Sequence, residues 1–260
     1  MERLKGEALL QALESGEVRV ASRDASGDWV TEAWVKEEIL AIFRESPVRA
    51  LGSAAAREFW PFVDKEAFHV RSFEEADGVR LVPGGSSVRR GAHVGSGCVL
   101  MPPCYLNVGA FVGAGSMIDS HALVGSCAQI GERVHVSAAA QIGGVLEPVG
   151  SRPVIVEDDV LVGGQSGLYE GVIVREKAVI GAGVILTAST RVFDVVNERE
   201  LTRAQGQALE IPARAVVVPG TRPARGAWAQ AAGLGISCAL IVKYRDASTD
   251  RATALEDALR

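Results

Sequence analysis

The chain has 260 residues, 48% of them hydrophobic and 23% charged, with a formal net charge of −5. That composition belongs to a globular protein able to bury a sizeable core. No run of Lys and Arg is interleaved with aromatics, so a nucleic-acid footprint is not expected, and no stretch offers 18 consecutive apolar residues for a membrane span.

The N-terminal stretch MERLKGEALLQALESGE is amphipathic and helical in period but lacks the apolar run of a signal peptide, which points to a cytoplasmic protein. Helical periodicity continues through WVTEAWVKEEILAIF, so residues 1–78 are expected to form a small helical domain packed on the first coil of the repeat that follows. Cys98, Cys104, Cys127 and Cys238 contain no C-x-x-C pair and are expected as buried thiols rather than disulfides or zinc ligands.

Over residues 79–190 the period changes to six. An aliphatic residue recurs at Val82, Val88, Val94, Leu100, Leu106, Val112, Ile118, Val124, Ile130, Val136 and Ile142. After an interruption from Gly144 to Pro153 it resumes in a new phase at Val156, Val162, Leu168, Val174, Ile180 and Leu186. The next residue is often glycine, as at Gly95, Gly113, Gly125, Gly131, Gly143, Gly163 and Gly181. Six matches neither 3.6 nor 2, but three hexapeptides close one triangular coil whose aliphatics stack inward. The expectation is a left-handed parallel β-helix of hexapeptide repeats with five to six coils. Pro102-Pro103 is an expected place for a one-residue shift of register in the first coils.

Residues 191–260 should supply a charged, exposed loop over Arg191 to Glu210, two β-branched strands in AVVVPG and ISCALIVKYR, and a terminal helix from Ser248. With the N-terminal helices, these segments would cap the solenoid.

A repeat makes its exceptions visible. Asp119 stands after Ile118, where most neighbouring repeats carry Gly or Ser, either as a turn Asp bonding its own backbone or as a functional carboxylate. The words around it, MIDSHALVGSCAQIG and IGGVLEP, with RLVPGG and VLMPPCYLNVGA upstream, resemble the signature of the tetrahydrodipicolinate N-succinyltransferase family. The resemblance runs from Val79 to Thr190, and SGEVRVASRDASGDWVTEAWVKEEILAIFR and IPARAVVVPG extend it toward both ends.

The resemblance implies transfer of succinyl from succinyl-CoA to the amine of ring-opened tetrahydrodipicolinate, 2-amino-6-oxopimelate, in the lysine/diaminopimelate pathway. It also implies a homotrimer with active sites between adjacent β-helices, and no metal or permanently bound cofactor. Asp119 would contact the substrate amine and Arg80 a substrate carboxylate. Chemistry is consistent with both roles: aminolysis needs the amine to lose a proton, and a guanidinium pairs bidentately with carboxylate. Backbone N–H groups at Gly143-Gly144 are placed to stabilise a developing oxyanion. Asn107, in the YLN segment, would either shape the substrate side or simply stack in its coil, and Arg222 and Arg225 in PGTRPARG would either meet the CoA phosphates or belong to a solvated loop.

The chain departs from the pattern in GGQSGLYEG, where the family's acidic position falls on Gly167. Either Glu170 substitutes for it, or Asp119 handles the amine alone. The usual Trp position is His121, expected as a turn or interface residue, and a usual Gly-Gly pair is Ala138-Ala139. Alternatives are an N-acetyltransferase for the same substrate and a non-catalytic hexapeptide scaffold. A zinc lyase is disfavoured because His93 and His135 lie seven hexapeptides apart and so on different faces.

Overall fold

The computed structural model describes residues 3–53, 55, 62–201 and 208–246. The terminal helix expected from Ser248 lies outside the described residues.

Two-residue strands alternate with four-residue turns from Ser87–Val88 to Ile185–Leu186, and they stack into three parallel sheets. Partners lie eighteen residues apart, as in Val94 with Val112, Ile118 with Val136 and Val124 with Ile142. The side chains of Leu100, Leu106, Ile118, Ile130, Ile142 and Leu168 are fully buried inside this three-sided prism. Each is a β-branched or bulky aliphatic group with apolar neighbours above and below, so stacking removes nearly all its surface from water.

Glycine after the aliphatic is a steric requirement. A Cβ on Gly125 would lie 2.2 Å from the Gly144 nitrogen, and one on Gly113 2.5 Å from the Gly131 carbonyl carbon. Turns place a later residue at positive φ, including His121 (63°), Cys127 (68°) and Ala139 (58°). His121 is thus a turn residue, and it is exposed.

Two expectations about the first coils are corrected. Leu100 pairs with Leu81 rather than Val82, nineteen residues away, so Val82 is not a stacking position and regular register starts at Val88. The Pro102-Pro103 step shifts nothing: Leu100 pairs with Ile118 and Leu106 with Val124, both at eighteen.

The interruption is a loop that leaves the coil and returns to it. Ile142 pairs with Leu168, twenty-six residues on, so eight residues are added to one coil and the columns then continue undisturbed. A second departure follows Leu186, and the coil resumes where Ile211 pairs with Val174 and Val217 with Ile180. The prism therefore extends beyond residue 190. Nor is the Arg191–Glu210 region wholly exposed: Val192–Asp194 pairs with Ala239–Ile241, and Val192 and Asp194 are buried. Ala215–Pro223 and Gly235–Tyr244 form a long antiparallel hairpin, matching the two expected strands.

The N-terminal region contains helices α1 (Gly6–Ser15) and α2 (Ala33–Glu45) and two short hairpins. It packs on the first regular coil, where the Gly91 N–H donates to the Glu14 carboxylate at 2.8 Å and His93 Nδ1 stands 2.9 Å from the Glu14 carbonyl oxygen, and it continues along the flank of the prism. Leu9, Leu10, Leu13, Val35 and Ile39 pack with Val108 and Cys127, while Ala21 packs with Ile155 and Ile173. Arg19 stacks on Phe111 at 3.7 Å from the ring centroid, and burial pushes its guanidinium down to about 10. The Lys36 ammonium donates to the Ser151 carbonyl at 2.6 Å, tying α2 to the inserted loop.

All four cysteines are free and buried. Burial raises the Cys98 thiol to about 11 and the Cys127 thiol to about 12. Since thiolate is the reactive form, alkylation at pH 8 followed by peptide mapping should leave both unmodified in the native protein and label both after unfolding. Labelling of Cys127 in the native state would show that α2 does not seal it.

Candidate active site

The three corners of the prism carry different chemistry. One corner stacks the residues that follow the aliphatics of a single sheet, namely Arg89, Asn107, Gly125, Gly143, Tyr169 and Thr187. Beside Gly143 and Tyr169 this corner opens into a cavity of about 1,210 Å³. Its walls are the inserted loop, the Tyr169–Gly171 turn, Thr187-Ala188 and Trp29 from the N-terminal hairpin. Trp29 is fixed there by its Nε1–H, which donates to the buried Glu157 carboxylate at 2.8 Å.

Gly144 and Glu170, both expected at the site, line this cavity. Gly144 is exposed, and its N–H makes no hydrogen bond among the described residues, while the N–H groups on either side bond to Leu168 and Ser126 carbonyls. One Glu170 carboxylate oxygen accepts the Ala188 N–H at 2.9 Å, so this side chain already braces the cavity wall. Asn107 shares the corner but does not line the cavity. Its side-chain oxygen accepts the Val108 N–H at 2.8 Å.

Asp119 and Arg80 lie elsewhere, on the adjacent sheet and its following corner. One oxygen of the half-buried Asp119 accepts the Ser120 N–H at 2.7 Å, as a turn Asp would, and the other stands 3.9 Å from His135 Nε2. Arg80 is exposed on the first strand of that sheet. Arg222 and Arg225 sit at the far end of the long hairpin, away from the cavity lining. A single chain therefore does not bring Asp119, Arg80 and the hairpin arginines together with Gly144 and Glu170. His93 and His135 belong to different sheets, as their spacing requires.

Tyr169 was not singled out from the sequence, and it explains the glycine that was. Its ring lies across two glycines: a Cβ on Gly167 would meet Cε2 at 2.4 Å and Oη at 2.8 Å, and one on Gly143 would meet Cδ1 at 2.7 Å. A side chain at 167 and this ring position exclude one another. Trp29, Arg152 and Thr187 were also missed as cavity residues. The only available signal was the departure GGQSGLYEG itself, which marks Gly167 but not the aromatic two residues later.

Stacked hexapeptide coils with a glycine-floored cavity at one corner define a hexapeptide-repeat protein of the left-handed parallel β-helix class. Residues 153–188 match the family model described as the hexapeptide repeat of succinyl-transferase, and residues 6–44 that of the tetrahydrodipicolinate N-succinyltransferase N-terminal region. The 2,3,4,5-tetrahydropyridine-2,6-dicarboxylate N-succinyltransferase of Rhodopseudomonas palustris (strain TIE-1) is 46% identical over 98% of this chain and 88% of its own. That of Bartonella bacilliformis is 40% identical over the same shares. The chain belongs to the tetrahydrodipicolinate N-succinyltransferase family. A Campylobacter jejuni crystal structure, described as a candidate 2,3,4,5-tetrahydropyridine-2-carboxylate N-succinyltransferase, aligns with a TM-score of 0.53. The alignment has 18% identity, spans 98% of this chain and 65% of that one, and speaks to the fold alone.

Proposed function

We propose that the chain is an acyl-CoA-dependent N-acyltransferase that moves succinyl from succinyl-CoA to the amine of 2-amino-6-oxopimelate, the ring-opened form of tetrahydrodipicolinate, in the cytoplasmic lysine/diaminopimelate pathway. The observation that carries this reading is the 46% identity to a relative of that name over almost the whole chain. No helix of the described residues is long and apolar enough to cross a membrane, which fits a reaction between water-soluble substrates.

In the proposed reaction the amine nitrogen bonds to the thioester carbonyl carbon, the C–S bond breaks, and CoA leaves as a thiol after taking up a proton. Asp119 orients the amine and accepts the proton it loses. Arg80 holds a substrate carboxylate by a charge-assisted pair. The Gly144 N–H, free of any intramolecular partner among the described residues, donates to the oxygen that gains charge. Arg222 and Arg225 take the CoA phosphates. Glu170 keeps the cavity wall in place through Ala188.

Because Asp119 and the Gly144 cavity occupy different corners, they face a common substrate only when one subunit's Asp119 side meets its neighbour's cavity. A homotrimer of parallel prisms supplies that arrangement three times by symmetry. Much of the acceleration then comes from holding two substrates in register rather than from a strong acid or base.

The test is an assay of the purified protein with tetrahydrodipicolinate and either succinyl-CoA or acetyl-CoA, following free thiol. The expected result is turnover with clear preference for succinyl-CoA. Preference for acetyl-CoA would reassign the donor, and absence of turnover with both would leave a non-catalytic scaffold.

A further inference from the structure

Two donors without partners share the cavity. The Gly144 N–H is one, and the other is the Tyr169 hydroxyl, which makes no hydrogen bond among the described residues although its backbone N–H is satisfied by Leu186. The ring is held in place by close packing on Gly143 and Gly167, and the first of these is the residue immediately before Gly144. Both glycines are needed for that placement, since a Cβ on either would fall within 2.7 Å of the ring. The chain therefore seats a rigid phenol on the same cavity wall as Gly144, and leaves the phenol hydroxyl and the Gly144 N–H without an internal acceptor among the described residues.

The partly exposed Tyr169 hydroxyl keeps contact with water in the single chain, and a ligand that displaces this water must replace its hydrogen bond. A ligand oxygen gives the two donors a common acceptor. Donors fixed before the reaction, and aimed at an oxygen that acquires negative charge, favour the transition state over the ground state because they need not reorganise. A phenol also brings no charge of its own, so it does not repel an anionic acyl group as a carboxylate in the same place would.

We propose that Tyr169 is a catalytic residue whose hydroxyl, together with the Gly144 N–H, donates a hydrogen bond to the thioester carbonyl oxygen as it becomes an oxyanion. This rests on the acyl-transfer reading above.

Tyr169→Phe tests it, because the substitution keeps the ring over both glycines and removes one oxygen. The expected result is a fall in kcat of roughly 10- to 100-fold, with KM for both substrates changed less than about threefold and an unchanged melting temperature. Gly167→Ala, which would displace the ring, should lower kcat comparably in the parent but add little in the Tyr169→Phe background. Full kcat in Tyr169→Phe overturns the proposal while leaving the transferase reading intact. So does a loss confined to KM or matched by a lower melting temperature, since the ring would then be structural. A parent protein inert with every acyl-CoA offered overturns the transferase reading and this proposal together.

Discussion

Asp119→Asn should reduce kcat/KM by about 10²- to 10⁴-fold, the range associated with loss of a positioned proton acceptor. The substitution is nearly isosteric, and its amide oxygen can still accept the Ser120 N–H that Asp119 accepts at 2.7 Å. The turn should therefore survive and the melting temperature should stay within about 1–2 °C, since surface changes outside special features shift stability little. What disappears is the second carboxylate oxygen's negative charge, on the side that stands 3.9 Å from His135 Nε2. Asp119→Ala would confound the two roles by deleting the turn bond as well. Thiol release at saturating succinyl-CoA is the measurement. Unaltered turnover in Asp119→Asn would reduce Asp119 to the backbone-bonding role that one of its oxygens plainly fills.

Mixing two inactive variants should restore activity. Asp119→Asn disables one face, and Ala188→Trp fills the cavity walled by Thr187-Ala188 and Glu170 on another corner. Each variant alone should have negligible turnover. If one site draws Asp119 from one subunit and the cavity from its neighbour, co-refolding the two in equal amounts yields about a quarter of the interfaces with both halves intact, and a comparable fraction of parental activity. A site contained in one chain predicts no recovery at any mixing ratio. Size-exclusion chromatography with light scattering on the same mixture reports whether trimers formed, so failure to assemble is not mistaken for failure to complement.

The prism was legible because its physics repeats. Every aliphatic from Val88 to Leu186 that keeps the six-residue phase is a stacked interior residue, and seven glycines after them lie where a Cβ would strike the next coil or the ring above it. Asp119 was legible for the complementary reason, as a charged residue in a place where most neighbouring repeats carry Gly or Ser. Residues beyond the second departure were not: Ile211 and Val217 rejoin their columns thirty-seven residues after Val174 and Ile180, and no local period bridges such a gap. The cavity escaped for the same reason. Trp29, Arg152, Tyr169 and Thr187 come from four separate segments, and only the fold makes them neighbours. The flank packing of α1 and α2 was also unreadable, because helical amphipathicity reveals that a face is covered and not what covers it.

The loop between Ile142 and Val156, which adds eight residues to its coil, leaves and re-enters the same columns of the prism. Closing such a loop costs free energy that rises only with the logarithm of its length, about 0.6 kcal/mol for each doubling. The coils above and below are held by their own stacked aliphatics and do not depend on the loop's sequence. Changes of length that keep the Ser151 carbonyl within reach of the buried Lys36 ammonium should therefore cost little stability, and each alters a wall of the cavity. The stacked prism and the cavity wall can thus change largely independently of one another, because the glycine floor belongs to the coils and the wall to the loop.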